Sequence, residues 1–300
     1  MQCNYKMHMA KIRIDSADRE KCEETVRQTW EELRNALATK NLLEDDIDRA
    51  LTFTFFKVFD DFFTTYSNEL EKTLEDLASN HFIVRGTILD SSNAVGPERF
   101  IPKAEYIKKE NRFSPAGIEW LYLATATQRL DAIKCSEKEC RANKGQHFGI
   151  CDFYVDDSYK DKKIIDLTVA DKFSYKEIDM ILAKAYVDRE KEALQYQRVI
   201  TRIIKPKADI FRQKIERWTF YIYLKLLSEQ LFVPIEIIND PYLTYAPFHC
   251  IANYFFQKGY VGIKYKSTVS EVGENIVLFN KFMAKPDETP QVILILNSRL

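Results

Sequence analysis

The amino-acid sequence predicts an α+β fold, with helical and strand-like segments mixed along the chain and no regular strand–helix alternation. Three observations lead there. Apolar residues recur at helical spacing through the first third. Near His81 the pattern changes to short, β-branched runs. Two long helical blocks then separate the later strand candidates from the earlier ones. With 300 residues, 46% of them hydrophobic, the chain has enough material for one large domain, or for one domain plus a helical appendage.

Ser16 to Ala38 reads as an amphipathic helix, with Val26, Trp30, Leu33 and Leu37 on one stripe. A second helical stretch is expected from about Glu44 to Leu77. Its stripe holds Ile47, Leu51, Phe55, Val58 and Phe62, then Leu70, Leu74 and Leu77. Residues 1–80 therefore read as a helical N-terminal region without a strand. His81 to Leu89 is the first strand candidate. Trp120–Thr125, Phe148–Val155, Lys163–Thr168, Gly262–Ser267, Ile276–Phe279 and Val292–Leu296 follow. Ser174–Gln197 and Ala208–Gln230 read as helices and form a mainly helical insertion around 170–230. Pro247–Lys258 reads as a further helix that Gly259 ends. The stripes at Trp30 and Trp218 read as packing.

Charge and composition narrow the function classes. Lys+Arg number 44 against 45 Asp+Glu, a formal charge of −1, so no net basic field draws in nucleic acid or an anionic membrane. The apolar stretch Ala50 to Phe63 is broken by Lys57, Asp60 and Asp61 and is too short and charged to span a bilayer. Met1 to Lys11 carries no apolar leader segment, and the six cysteines form no CxxC. Reduced thiols in a cytoplasmic protein are the expectation. Cys3, His8, Cys135 and Cys140 match no standard zinc spacing, so no metal is expected. No HExxH, GxSxG or glycine-rich phosphate loop occurs, and eight glycines leave no material for one.

Three local segments say more. Arg85 stands inside the apolar strand, in Val84-Arg85-Gly86-Thr87. A cation there is either paired with a buried acid or held for an anionic ligand. Asn111-Arg-Phe-Ser-Pro-Ala-Gly117 is followed at once by Leu121-Tyr-Leu-Ala124. Gly259-Tyr-Val-Gly-Ile-Lys-Tyr-Lys-Ser267 is followed by Gly273-Glu-Asn-Ile-Val-Leu-Phe279.

In order, these segments resemble the signatures of the RES domain, named for an Arg, a Glu and a Ser. The family pattern has an early strand arginine, a "GRFNPPG…LYLA" block, an "AEVR"-like glutamate and a final "GYDGIxYxSS…GGxNLVLF". The helix Tyr245-Ala-Pro-Phe-His-Cys-Ile-Ala252 resembles the family's "YxxTQxIA" element, with His249 in place of the glutamine. The resemblance covers about Ile83 to Asn280. It implies an ADP-ribosyltransferase-like mixed β core over residues 81–300.

The same resemblance implies an NAD-degrading toxin that cleaves the nicotinamide N-glycosidic bond. Arg85, Glu139 and Ser267 match the three named residues. Arg112, Tyr122 and Asn275 match substrate-binding positions. Glu137 remains beside Glu139 as an alternative, and the Cys140-Arg141 that follows favours Glu139. NAD is implied as substrate and inorganic phosphate as a co-substrate, with water or a protein side chain as other acceptors. The implied partner is a cognate antitoxin containing a helix-turn-helix domain, and a homodimer is also compatible.

These residue types suit that chemistry. Guanidinium forks bind phosphates bidentately. An aromatic face stacks on the nicotinamide cation. A carboxylate stabilises an oxocarbenium-like ribose. Gly86, Ser114 and Val261 depart from the family pattern, and Asp156 to Asp240 is long for it. A protein ADP-ribosyltransferase is the nearest alternative. A catalytically inactive interaction protein is the alternative of another class.

Overall fold

The computed structural model of the protein describes residues 19–39, 54–197, 206–231 and 241–296. Within these the helices are α1 (Arg19–Thr39), α2 (Thr54–Leu70), α3 (Leu74–Asn80), α4 (Arg129–Glu139), α5 (Tyr175–Gln197), α6 (Pro206–Leu231) and α7 (Pro241–Gln257). The strands are β1 (Glu71–Thr73), β2 (Phe82–Leu89), β3 (Leu121–Ala126), β4 (His147–Val155), β5 (Lys163–Asp166), β6 (Gly262–Lys266), β7 (Glu274–Leu278), β8 (Ala284–Pro286) and β9 (Gln291–Leu294). The architecture is mixed α+β, as the sequence predicts.

The chain divides into two units. One is helical and holds α1, α2 up to Glu69, α5 and α6. The sequence reading places the N-terminal helices and the inserted helices in separate regions; here they share one unit. The reason lies in α6. From Trp218 to Ser228 every residue except Lys225 is buried, and a helix apolar all round needs cover on all sides. Tyr223 sits at the middle. Its ring lies 5.4 Å from Phe55, 6.1 Å from Phe59 and 6.0 Å from Phe62, and its hydroxyl donates to the Phe55 carbonyl at 2.9 Å. Trp30, Leu33, Leu37 and Trp218 are buried as their stripes require.

The other unit holds 70–168 and 241–296 and is built on a mixed sheet. The strand order is β1-β5-β6-β7-β3-β2-β4-β8, with β9 on β4. β5 and β6 run parallel; the other pairs are antiparallel. Each face of the sheet has its own core. Ile83, Leu121, Leu123, Phe153, Ile276 and Leu278 pack on one side. Val84, Ala126, Phe148 and Ile150 pack against Ala132 and Ile133 of α4 on the other. Ile83 and Val84 are chain neighbours serving opposite cores, as strand alternation demands.

β2 and β3 pair only from Phe82↔Ala126 to Val84↔Ala124. β2 continues on β4 as far as Leu89, and β3 continues on β7 back to Leu121. Between Arg85 and Leu123, therefore, the two central strands part.

Three element expectations are corrected. The helix predicted from Glu44 to Leu77 is interrupted by β1; its residues 44–53 lie outside the described ones. Leu70, Leu74 and Leu77 are all buried, but Thr73 starts a new helix. The Thr73 hydroxyl accepts from the Asp76 amide at 3.0 Å while the Asp76 carboxylate accepts from the Thr73 amide at 3.1 Å, a reciprocal capping box. α7 begins at Pro241, leaving Pro247 inside it rather than at its start. β8 has no counterpart in the sequence reading. Gly259 does end α7: at φ +87° it occupies the left-handed region that closes helices.

Lys264 of β6 is buried between two acids. Its ammonium is 3.5 Å from Asp166 Oδ2 and is bonded to Glu274. Removing the cation leaves the buried Asp166 carboxylate and the half-buried Glu274 carboxylate without their shared ammonium. Lys264→Met is expected to cost about 3–5 kcal/mol in urea denaturation. A loss below about 1 kcal/mol would show instead that the pair is effectively solvated.

Candidate functional site

A cavity of about 270 Å³ opens where β2 and β3 part. Its walls include Arg85 and Gly86 of β2, Tyr122, Leu123 and Ala124 of β3, Ser136 and Glu139 of α4, Cys140, Asn111, Tyr265 and Asn275. Arg85 and Leu123 would be the next pair if the strands stayed together. Their separation exposes both to the same space.

Glu139 is the last residue of α4, and two side chains, one just past β6 and one in β7, hold its carboxylate. Ser267 Oγ donates to Oε1 at 2.7 Å, and Asn275 Nδ2 donates to the same oxygen at 2.5 Å. Oε2 has no hydrogen-bond partner among the described residues. The Ser267 hydroxyl is fully committed: besides donating to Glu139 it accepts from the amides of Ser270 at 2.9 Å and Val269 at 3.2 Å. With its one proton and both lone pairs engaged, Ser267 orients Glu139 and is not poised as a nucleophile. Behind Asn275, Cys135 Sγ lies 3.7 Å from Oδ1. That thiol is pushed up to about 12, mainly by burial and also by the Glu139 charge.

Arg85 brings positive charge. Nη1 of its guanidinium is buried and has no hydrogen-bond partner among the described residues. Burial is the main reason the group is lowered to about 10, with Cys140 acting against it and Arg99 in the same direction; at neutral pH it stays charged. A buried guanidinium nitrogen without an acceptor costs free energy unless a ligand supplies one. Cys140 lies close by, with its Sγ donating to the Gly86 carbonyl at 3.4 Å. Burial pushes this thiol up to about 11 despite Arg85, so it is protonated at neutral pH and is not an activated nucleophile.

Tyr122 lines the cavity, and its hydroxyl is used elsewhere. It lies 2.9 Å from Ser114 Oγ and accepts from the Phe113 amide at 3.3 Å. Burial raises this phenol well above its usual range. Arg112 does not line the cavity. Its Nη2 donates to Thr268 at 3.2 Å, and its guanidinium lies 5.7 Å from the centre of the Phe248 ring.

Of the sequence candidates, Arg85, Tyr122, Glu139 and Asn275 thus meet around one cavity. Ser267 stands one hydrogen bond behind, and Arg112 lies outside the walls. Glu139, not Glu137, carries the contacts. Asn111, Tyr265, Ser136 and Cys140 are wall residues the sequence reading did not select. Tyr265 was accessible from strand alternation, since it and Asn275 are register partners. Cys3 and His8 lie outside the described residues, and no group of three His, Cys, Asp or Glu suited to a metal occurs among the described ones. No described helix is long and apolar enough to cross a membrane.

A larger cavity, about 670 Å³, is lined by His81, Arg129, Asp152 and Lys160 among others. Arg129 there is bonded to both Asp152 oxygens at 2.7–3.0 Å, and Lys160 is paired with Asp157. Its cations are already matched, so the smaller cavity carries the stronger chemical argument. The chain matches no protein-family model, no curated protein and no solved structure.

Two expected outcomes concern stability. Arg141, just past Glu139, has φ 53°, a left-handed conformation that costs a side-chain-bearing residue about 1–2 kcal/mol. Arg141→Gly is expected to stabilise by about 1 kcal/mol in chemical denaturation; destabilisation would mean that the Arg141 side chain makes up more than the backbone cost. Separately, burial lowers the pKa of both His249 and His81. The unfolded chain then binds more protons than the folded one through the ordinary histidine range, so stability falls as pH drops. Urea midpoints between pH 7.5 and 5.5 should decrease, and less steeply in His249→Gln. A midpoint that rises on acidification contradicts this sign.

Proposed function

We propose that the protein degrades NAD by cleaving its nicotinamide N-glycosidic bond, in the manner the RES-domain resemblance implies. The observation that supports this most is the Glu139 carboxylate at the cavity, one oxygen tied by Ser267 and Asn275 and the other without a hydrogen-bond partner among the described residues. In this reading Oε2 engages a hydroxyl of the nicotinamide ribose and stabilises the positive charge that develops as the bond breaks. The bonding pair leaves with the ring nitrogen, giving neutral nicotinamide. The oxocarbenium carbon is captured by water or by phosphate, and the acceptor's proton is released. Arg85 offers its unpartnered nitrogen to an anionic oxygen, either of the pyrophosphate or of an inorganic phosphate acceptor. The Tyr122 ring supplies a face for nicotinamide.

The cavity, at about 270 Å³, is at the lower edge of the roughly 300–1,000 Å³ usual for small-molecule sites. It suits the nicotinamide–ribose end, with the adenosine half lying outside it. An antitoxin partner and a toxic role rest on the resemblance alone.

The test is incubation of purified protein with NAD, with and without phosphate, and chromatography of the products. Nicotinamide is expected together with either ADP-ribose or its phosphorylated counterpart. Glu139→Gln should lower kcat by about 10²–10³-fold; Arg85→Ala should lower kcat/KM. No turnover but labelling of an added protein would favour ADP-ribosyl transfer. Neither turnover nor NAD binding would leave an interaction protein.

A further inference from the structure

One cavity wall is carried by a turn, Asn111 to Ser114, closed by the Asn111 amide donating to the Ser114 carbonyl at 2.9 Å. Two side chains hold this turn. Tyr122 takes the Phe113 amide and the Ser114 hydroxyl. From α7, His249 Nε2 lies 3.0 Å from the Asn111 carbonyl oxygen. A carbonyl only accepts, so Nε2 carries the proton and Nδ1 is the bare nitrogen of a neutral ring. Nδ1 is buried without a hydrogen bond, and the residue is 6% exposed. The ring lies nearly parallel to Tyr245, at 20° and 6.4 Å. The Glu110 carboxylate is 3.8 Å from Nε2, beyond a hydrogen bond.

Packing alone does not account for this side chain. A leucine would fill the space without burying an unsatisfied nitrogen. What the imidazole adds is a donor directed at the backbone of the Asn111–Ser114 turn, to the Asn111 carbonyl at 3.0 Å, with the Ser114 backbone also acting on the ring.

We propose that His249 is a positioning residue: its Nε2–H holds the Asn111 carbonyl and so sets the Asn111–Ser114 turn against the cavity. Only the catalytic consequence rests on the NAD reading; the hold on the turn is measurable without ligand. The tautomer is read first, by ¹⁵N NMR of the full chain at pH 7.5. A protonated Nε2 is expected, and a protonated Nδ1 overturns the proposal whatever any variant does. Hydrogen exchange at Asn111 and Phe113 is then compared in wild type, His249→Leu and His249→Gln. Leucine lacks the donor, whereas a glutamine amide can replace it. Exchange is expected to be about tenfold faster in the leucine variant, the worth of one hydrogen bond, with glutamine close to wild type and Leu123 unchanged in both. Equal exchange in leucine variant and wild type, or a glutamine variant as fast as the leucine one, overturns the proposal. With NAD, the leucine variant should raise KM more than it lowers kcat, and glutamine should restore KM. If wild type does not consume NAD, the functional reading falls while the exchange data still decide the role of His249.

Discussion

Glu139 ends a helix, where the unsatisfied carbonyls already concentrate negative charge. A carboxylate placed there is repelled by its own helix unless donors reach it from elsewhere. Ser267 and Asn275 are those donors, 128 and 136 residues further along the chain. Their meeting with Glu139 links α4 to β7 and to the residue that follows β6, and it leaves Oε2 without a hydrogen-bond partner among the described residues. The hydroxyl of Ser267 is itself locked by two amides, so the orientation of Glu139 rests on backbone and not on a mobile side chain. The orienting groups are held from behind, the arrangement that lets a site keep its geometry.

The site also needs the sheet to open, and it opens next to a glycine. A Cβ at Gly86 would lie 2.1 Å from Phe148 Cζ and 2.7 Å from Ser136 Oγ. Without one, the core ring of Phe148 and the α4 residue Ser136 come right up to β2 just beyond its last pair with β3. The same absence that lets α4 pack closely brings the end of α4 to the opening. Arg85, one residue earlier, then has a buried guanidinium nitrogen at the point where the strand ladder stops. An ordinary central strand would have put a paired, apolar residue there.

Much of the fold was legible because periodicity is a direct record of burial. The stripes of α1 and α6 and the runs of β2, β3, β4, β6 and β7 sit within a few residues of their expected places. Where the reading failed, local pattern and tertiary pairing diverged. Leu70, Leu74 and Leu77 keep helical spacing and are all buried, yet β1 lies between them because Lys163–Ile165 of β5 offers a partner for Glu71–Thr73. Nothing in a one-dimensional pattern records that partner. The candidate site was legible for a different reason. Composition and spacing give no hint that Arg85, Glu139 and Asn275 share a cavity; the ordered resemblance selected them. The choice between Glu137 and Glu139, open in the sequence, follows from helix geometry. Two residues apart on a helix differ by about 200°, so only one of the pair can face Ser267. Asn111 and His249 escaped because their contact is through a backbone carbonyl, which side-chain identity does not encode.

The helical unit follows the same logic at larger scale. A helix such as α6, buried on every side over three turns, cannot be an independent appendage, since its exposure would forfeit roughly 1.5–3 kcal/mol for each large apolar side chain. Its partner α5 supplies only part of that cover; over residues 175–191 its surface is mostly half-buried or exposed. The rest comes from α1 and α2, whose aromatic residues Trp30, Phe55, Phe59 and Phe62 are all buried. Within this unit α6 and the N-terminal helices are therefore mutually dependent: each has an apolar face that the other completes. A change that removes either, such as trimming the chain before β1, exposes the aromatic surface around Tyr223 even though no residue of the sheet is touched.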